Sequence, residues 1–387
     1  MQNLFWLTLV LLIVAALLRS EISFYLLYVV VGLQFAARFW VRRSAQAVAW
    51  RRQAPIAAFP REPVTIQIEL HNQGRLPLPW LALHEHISPA LRSPPWLRQV
   101  LSLGAGERRH ISYTVYGQRR GYYQLGPLTL RTGDVLGLDE QPLNGATTDA
   151  LTIYPQVLSL DDLNLPASLP FGVLPATRSL FADPARPIGV RNYQSGDSFR
   201  QIDWKNSARL GSLQVRRYQP AIALETLIVL ALGRNEYPSR FAYDAMERAI
   251  VTAASIAAHL VAHRQPVGFC TTGNDPLTQA QATPLPVAAG QARLIETLRL
   301  LGRVEAVDHG DLPTLADQTS AHLGWGSTVV LITGSCDATL IAALLPLKRR
   351  GLNLALVIIE AFPANLALAR QYGISAFQVS REGRPET

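Results

Sequence analysis

A chain of 387 residues is too long for one ordinary core and points to two or three domains. Its formal net charge of +8 is local: residues 1–55 hold six arginines (Arg19, Arg38, Arg42, Arg43, Arg51, Arg52) against Glu21, a net of +5, and the rest supplies only +3. That is a basic stripe at one end, which argues against a nucleic-acid-binding face; the only two cysteines, Cys270 and Cys336, sit in or beside apolar runs, which excludes a disulfide scaffold and a cysteine zinc site.

The first predicted elements are apolar. LFWLTLVLLIVAALL (4–18) and ISFYLLYVVVGLQFAA (22–37) are uncharged, with only Arg19, Ser20 and Glu21 between them. Each is shorter than the ~20 residues that cross a bilayer comfortably. Flanking Gln2, Asn3, Arg19 and Arg38 can snorkel and extend them. No basic region precedes the first run, so a secretory signal fits poorly. The pattern predicts a transmembrane helical hairpin over 1–45, with helices at about 4–18 and 22–40. Phe5-Trp6 and Phe39-Trp40 would then share one interface. The arginines after the second helix mark that side as cytoplasmic, so both termini and the bulk of the chain are expected on the cytoplasmic face of the membrane, which the family resemblance given below implies is a bacterial inner membrane.

From Pro63 the period becomes two. VTIQIELHN, WLALHEHI, RRHISYTVYG, GYYQLGPLTLRTGD and ALTIYP alternate between turn signals. They predict a small antiparallel Ig-like β-sandwich over 56–155. His84-Glu85-His86 puts two imidazoles on one strand face, but no third ligand is near, so a polar surface is expected there.

A linker, 156–220, holds RNYQSGDSFRQIDWKNSAR (191–209), the stretch densest in directional polar groups. Ser195-Gly196 reads as a turn and Asp197 as an N-cap, with a helix over 198–209 stopped by Gly211 and a strand, LQVRRY, after it. Arg200 and Asp203 would share a helix face, as would Asp203 and Ser207. Phe199, Ile202 and Trp204 are apolar anchors. Three readings stand. In the first, the charges form a brace between the domains, with Asp203 a buried partner of Arg200 or Arg209. In the second, the stretch docks a partner, Arg and Trp being residues that carry interface energy. In the third, Asp197, Asp203 and Lys205 do acid–base work. The third lacks a nucleophile, a His, a metal or a phosphate loop nearby. Carboxylates among arginines keep low pKa values, the wrong direction for a general acid. No catalytic residue is assigned, and the chain is expected not to be an enzyme.

From about Glu225 strands and helices alternate through TLIVLAL, YDAMERAIVTAASIAAHLVAH, PVGFCTT, GQARLIETLRLL, STVVLIT, DATLIAALLPLKRRG, LNLALVIIE, NLALARQYG and SAFQVS. This predicts a doubly wound α/β domain over 221–387. His259 and His263 are four apart, but Leu260 stands where the metalloprotease motif has Glu. P-loop, G-x-S-x-G and dinucleotide fingerprints are absent, which argues against ATP hydrolysis. Ligands of such domains sit at the carboxyl ends of strands, where the first strand reads VLALGRNEY (229–237). This domain resembles the von Willebrand factor A fold. The resemblance implies Asp-x-Ser-x-Ser at this point, holding Mg²⁺, and an acidic ligand after a later strand. The matching positions here are Ala231, Gly233 and Asn235, and Gly334 after VVLIT. Ala and Gly supply no side-chain oxygen, so neither a metal nor any other cofactor is expected.

GVRNYQSGDSFRQIDWKNSAR closely resembles the signature of the bacterial domain of unknown function 58 family, roughly R-x-Y-x-x-G-D-x-x-R-x-I-D-W-x-x-S-A-R. The matching residues are Arg191, Tyr193, Gly196, Asp197, Arg200, Ile202, Asp203, Trp204, Ser207, Ala208 and Arg209. RRGYYQLGPLTLRTGDVLGL resembles a second family segment, where Asp-Pro-Phe-Gly-Leu is usual and Val135-Leu136 depart from it. The resemblance implies a MoxR-type AAA+ ATPase as partner, with transglutaminase-like membrane proteins as frequent neighbours, and no established activity. The expected function is a membrane-anchored cytoplasmic scaffold or adaptor for protein partners in envelope-linked assembly or maturation. The rivals are a hydrolase or transferase acting at the signature, and a metal-dependent protein-binding A-type domain.

Overall fold

The computed structural model describes residues 10, 12–13, 17, 21–91, 96–135, 140–143, 147–166, 182–194, 197, 199, 202–220, 225–237, 241–360 and 363–380. The chain forms two compact units: Met1–Gln156 with Leu301–Arg303, and Val157–Leu300 with Val304–Thr387.

The first unit begins with helix α1 (Glu21–Ala45). Its span Phe24–Ala45 is long and apolar enough to cross a membrane, and little of it is buried. Ile22, Tyr25, Tyr28, Val29 and Phe35 are all exposed. The first arm of the predicted hairpin, with Phe5 and Trp6, lies outside the described residues apart from Val10, Leu12, Ile13 and Leu17, which are helical and exposed. Near its end, α1 buries Val41 and Ser44, and the Trp40 indole N–H donates to the Pro77 carbonyl at 3.0 Å.

Among the described residues nine strands follow: β1 (Val48–Gln53), β2 (Ala57–Ala58), β3 (Pro63–Asn72), β4 (Leu78–Ile87), β5 (Trp96–Leu103), β6 (Arg108–Tyr116), β7 (Gly121–Gly133), β8 (Glu140–Leu143) and β9 (Asp149–Ile153). They make two sheets, β1-β3-β6 and β2-β9-β7-β4-β5, with β8 added to β7. All pairings are antiparallel except β2 with β9. Alternation builds the core. In β3, Val64, Ile66, Ile68 and Leu70 are buried while Thr65 and Gln67 are exposed. They pack with Leu81, Leu83 and Ile87 of β4 and Leu125, Leu128 and Leu130 of β7, so the two sheets face each other. Each such aliphatic side chain contributes about 1.5–3 kcal/mol on burial. The first strand starts at Val48, ahead of the expected position 56, because adjacent Arg51 and Arg52 hide the alternation. Arg51 is exposed, whereas the Arg52 side chain is only 1% exposed. Strand β5 has no counterpart among the predicted elements. It is an edge strand, exposed along most of its length, and shows no clean period.

The second unit opens with an antiparallel ribbon, β10 (Ala182–Asn192) and β11 (Gln214–Pro220), with helix α2 (Trp204–Leu210) in the connection. Next come β12 (Thr226–Leu230), α3 (Ala242–Ala262), β13 (Val267–Thr271), the hairpin β14 (Asn274–Asp275) and β15 (Ala280–Gln281), β16 (Leu285–Ala288), α4 (Gln291–Arg303), α5 (Leu312–Ser320), β17 (Thr328–Thr333), α6 (Ala338–Arg349), β18 (Asn353–Ile359), α7 (Pro363–Gln371) and β19 (Ser375–Val379). Six strands make one sheet in the order β16-β13-β12-β17-β18-β19, parallel except for β16 against β13. β12, β13 and β17 are buried along their whole length, as near-continuous apolar runs require of strands covered on both faces. Helix α3 is also long and apolar enough to cross a membrane, but it is mostly buried, which makes it a core helix. Strand order reverses between β12 and β17, and such a reversal opens a crevice at the carboxyl ends of these strands.

Candidate functional site

The signature stretch is built on the ribbon. Asn192 pairs with Gln214 and Arg191 with Val215. Buried Ile202 bridges to Val215, and the Asp203 N–H donates to the Gln214 carbonyl at 2.8 Å. This pairing holds Ile202 and Asp203 against the ribbon, and α2 starts at Trp204; most of the expected first turn, 198–201, lies outside the described residues. Asp203 is the N-cap of α2. Its φ of −91° and ψ of 90° are extended, and its carboxylate accepts from the Asn206 N–H at 3.1 Å. Gly211, at φ 66°, ends the helix as expected of a left-handed cap.

Asp197 instead closes the loop. Its two oxygens meet the Arg191 guanidinium at 2.7 and 2.6 Å, and one accepts from the Gln194 N–H at 2.9 Å. Asp203 pairs with Arg216 at 3.2 Å, where Arg200 or Arg209 had been expected. Arg216 lies on β11 beside the cap, whereas Arg209 is exposed in the last turn of α2. Arg200 and Gly196 lie outside the described residues. Buried Ser207 ties helix to ribbon: its hydroxyl donates to the Asp203 carbonyl at 2.7 Å and accepts from the Gln214 N–H at 2.8 Å. The Gln214 amide donates to Asn192 Oδ1 at 2.6 Å.

The Arg191 hydrogen bonds hold the Asp197 carboxyl below the usual range, helped by the Gln194 N–H. The Asn206 N–H does the same for Asp203, with Arg216 adding to it. Both carboxylates are thus kept ionised, unlike a general acid at neutral pH. Among the described residues the stretch turns two aromatic rings outward. Phe199 is 69% and Trp204 66% exposed, and Leu210 and Leu213 are exposed beside them. Lys205 and Arg209 are exposed on the same helix. Tyr193, half-buried, stacks on Phe199 with centroids 5.7 Å apart.

The crevice at the sheet reversal holds the second set of candidates. The Ala231 carbonyl accepts from the buried Tyr237 hydroxyl at 2.7 Å. A Cβ on Gly334 would run into the Tyr237 ring, and one on Gly233 would come within 2.6 Å of Asn235 Oδ1 and the Gly310 nitrogen. Asn235 is exposed and accepts weakly from the Gly310 N–H at 3.4 Å. An aromatic ring therefore abuts the position from which a second acidic ligand would project, and these residues do not fit a Mg²⁺ ion. Among the described residues no group of three or more His, Cys, Asp or Glu is placed to hold a metal. Sequence reasoning passed over Glu236, whose Oε2 is buried with no hydrogen-bond partner. Burial pushes its carboxyl up to about 7, with Asp311 adding to the shift. Nothing in the turn GRNEY signals that burial.

A third polar cluster lies in the sandwich. His84 and His86 are exposed, as the polar-surface reading requires, but Glu85 between them is fully buried. Its carboxylate lies 2.7 Å from Arg52, which also meets Asp149 at 2.7 Å. Burial pushes the Glu85 carboxyl up, opposed by Arg52, and the neighbouring Tyr113 hydroxyl is also pushed up by burial and by Glu85. The alternation was the signal: position 85 falls in phase with Leu81, Leu83 and Ile87.

Residues 189–367 match the family described as "Protein of unknown function DUF58". The uncharacterized protein YeaD of Bacillus subtilis (strain 168) is 26% identical over 181 residues, 47% of this chain and 42% of the relative, so the chain spans less than half of that relative's length. Among solved structures, the CARDB domain of the PF1109 protein from Pyrococcus furiosus, in complex with di-metal ions, is similar at 12% identity over 27% of this chain and 84% of that one, with a TM-score of 0.21. The complex of zinc 2-glycoprotein and prolactin inducible protein from human seminal plasma is similar at 10% identity over 27% and 92%, with a TM-score of 0.20. At these scores neither structure bears on the chemistry of this chain.

Proposed function

Because this chain belongs, through residues 189–367, to the DUF58 family of proteins of unknown function, we propose that it is a membrane-anchored adaptor whose signature loop docks a protein partner. Helix α1 and the apolar run before it form the anchor, with Arg42, Arg43, Arg51 and Arg52 holding both units on the cytoplasmic side. The sandwich is an Ig-like platform. The second unit is a metal-free A-type domain, a reading supported by its strand order and its antiparallel edge strand. The partner is a MoxR-type AAA+ ATPase, with a transglutaminase-like membrane protein as a second candidate.

One observation carries this reading: Trp204 and Phe199 stand in water on a loop whose carboxylates are already tied to Arg191 and Arg216. A Trp offers about 150–250 Å² of contact surface, and a partner that covers it recovers that burial. The polar groups serve to hold the rings in place. The same engagement leaves Asp197 and Asp203 unsuited to proton transfer, so the reading is of a binding protein and not of an enzyme. The test is capture of the purified ATPase by the full chain in detergent. Trp204→Ala should leave the melting temperature within about 2 °C of wild type, because the ring is exposed, and should weaken capture on the order of tenfold or more. Undiminished capture by that variant would sink the docking reading.

A further inference from the structure

Three arginines close α1. Arg38 is half-buried, and Arg42 and Arg43 are exposed in the last turns. With Phe35, Phe39 and Gln46 they line one open hollow of about 400 Å³. At roughly 100° per residue, positions 35, 38, 39, 42 and 46 gather on one helix face. Buried Val41 and Ser44 lie on the opposite side. Trp40, anchored on the Pro77 carbonyl, belongs to that opposite side too. The hollow is therefore carried on a fixed element and faces away from the sandwich.

Among the described residues its charge is uncompensated. Arg52 meets Glu85 and Asp149, and Arg191 meets Asp197, but no carboxylate among the described residues pairs with Arg38, Arg42 or Arg43. The depth is also right for one ligand. The uncharged run 22–37 rises about 24 Å as helix, a little less than the ~30 Å hydrocarbon core. Arg38 then stands at the edge of the hydrocarbon. Arg43 is about 7 Å further along the axis, close to the thickness of one headgroup layer. Phe35 and Phe39, each 70% exposed, sit where acyl chains meet headgroups. A guanidinium fork matches two oxygens of a phosphate, which an ammonium cannot do.

We propose that this hollow binds one anionic phospholipid, its phosphate held by Arg38, Arg42 and Arg43 and its first acyl carbons resting on Phe35 and Phe39. The proposal rests on α1 being the membrane anchor, and adds to it a stoichiometric site where orientation alone needs only diffuse charge.

The experiment is native mass spectrometry of the full chain released from neutral detergent, with phosphatidylglycerol, phosphatidylcholine and inorganic phosphate as probes. One phosphatidylglycerol should be retained on the order of tenfold more than phosphatidylcholine. Inorganic phosphate, which has nothing to rest on the rings, should not be retained. The triple variant Arg38→Gln, Arg42→Gln, Arg43→Gln should lose the preference. The corresponding Lys triple should keep the charge but retain the lipid more weakly. Phe39→Ala, which leaves all charges in place, should also weaken retention and serves if the triple variants misfold. Equal retention of the two lipids, or a Gln triple that behaves as wild type, overturns the site. A Lys triple equal to wild type reduces it to diffuse attraction and overturns it as well. Insertion of the wild type into pure phosphatidylcholine vesicles separates the two claims: a chain that inserts but prefers no lipid refutes the site alone, and a chain that does not insert refutes the anchor with it.

Discussion

Two regions of the molecule hold arginine–carboxylate pairs, and they do different physical jobs. In the sandwich, Arg52 and Glu85 meet at 2.7 Å with side chains 1% and 0% exposed. In the signature, Arg191 meets Asp197 at 2.6 Å with 39% and 17% exposed, and Arg216 meets Asp203 at 3.2 Å with 49% and 14% exposed. The distances are alike, so they do not set the energetics. Water does. Exposed pairs are screened and contribute little to stability beyond shape. A buried pair has already lost its hydration, and removing one partner strands the other. The brace that the signature's composition suggests has its physical counterpart in the sandwich, at a Glu that sits between two exposed histidines.

The largest expected effect follows from that contrast. Arg52→Met should leave Glu85 without its main counter-charge and cost about 3–5 kcal/mol. The sandwich should then melt more than about 10 °C lower, read by calorimetry or circular dichroism of the full chain. Adding Glu85→Leu should recover most of the loss, since a matched apolar pair needs no counter-charge. A melting temperature unchanged by Arg52→Met would break the comparison.

The second effect is one of sign. The Glu85 carboxyl is raised above its ordinary 4.5. Its contribution is present in full below that value and is lost as pH rises through the folded pKa. Asp197 and Asp203 are held below their ordinary 3.8. Their contribution is present in full above that value and is lost as pH falls through the folded pKa. Melts between about pH 3 and about pH 8 should therefore respond to the two regions on opposite sides. Glu85→Gln should flatten the decline above about pH 4.5, and Asp197→Asn the decline below about pH 4. Slopes altered on the same side by both variants would show that burial does not separate the two regions.

The smallest effect belongs to Asp203→Ala. It removes a helix cap and a half-exposed ion pair, so the melting temperature should fall by a few degrees at most. A fall as large as that of Arg52→Met would show that the signature's charges are shielded after all.

Much of the second unit was legible because fully buried parallel strands are written as apolar runs and the helices between them as amphipathic ones. TLIVL, VGFCT and TVVLIT are strands for that reason. Helix α5 was not legible, because LPTLADQTS is too short and too mixed to show a period. In the signature, the end of α2 at Gly211 followed from glycine chemistry, since only a residue tolerant of positive φ closes the helix there cheaply. Its beginning did not, because Asp197 and Asp203 are equally good caps by composition.

By itself the sequence determined the class of each segment and a family match over residues 189–367: apolar α1 with its basic end, period-two strands, alternating strand and helix, and the long signature at 189–209. These are local properties of side-chain hydrophobicity, spacing and identity. Tertiary structure alone decided which charge met which. The Ile202–Val215 bridge moved the cap to Asp203, and the ribbon brought Arg216 beside it. Tyr237 came to lie where any side chain on Gly334 would collide with it. The turn that carries Glu236 buried one of its carboxylate oxygens. Burial and pairing are set by residues far apart in the chain, and a one-dimensional pattern holds no record of the solvent that each charge has lost.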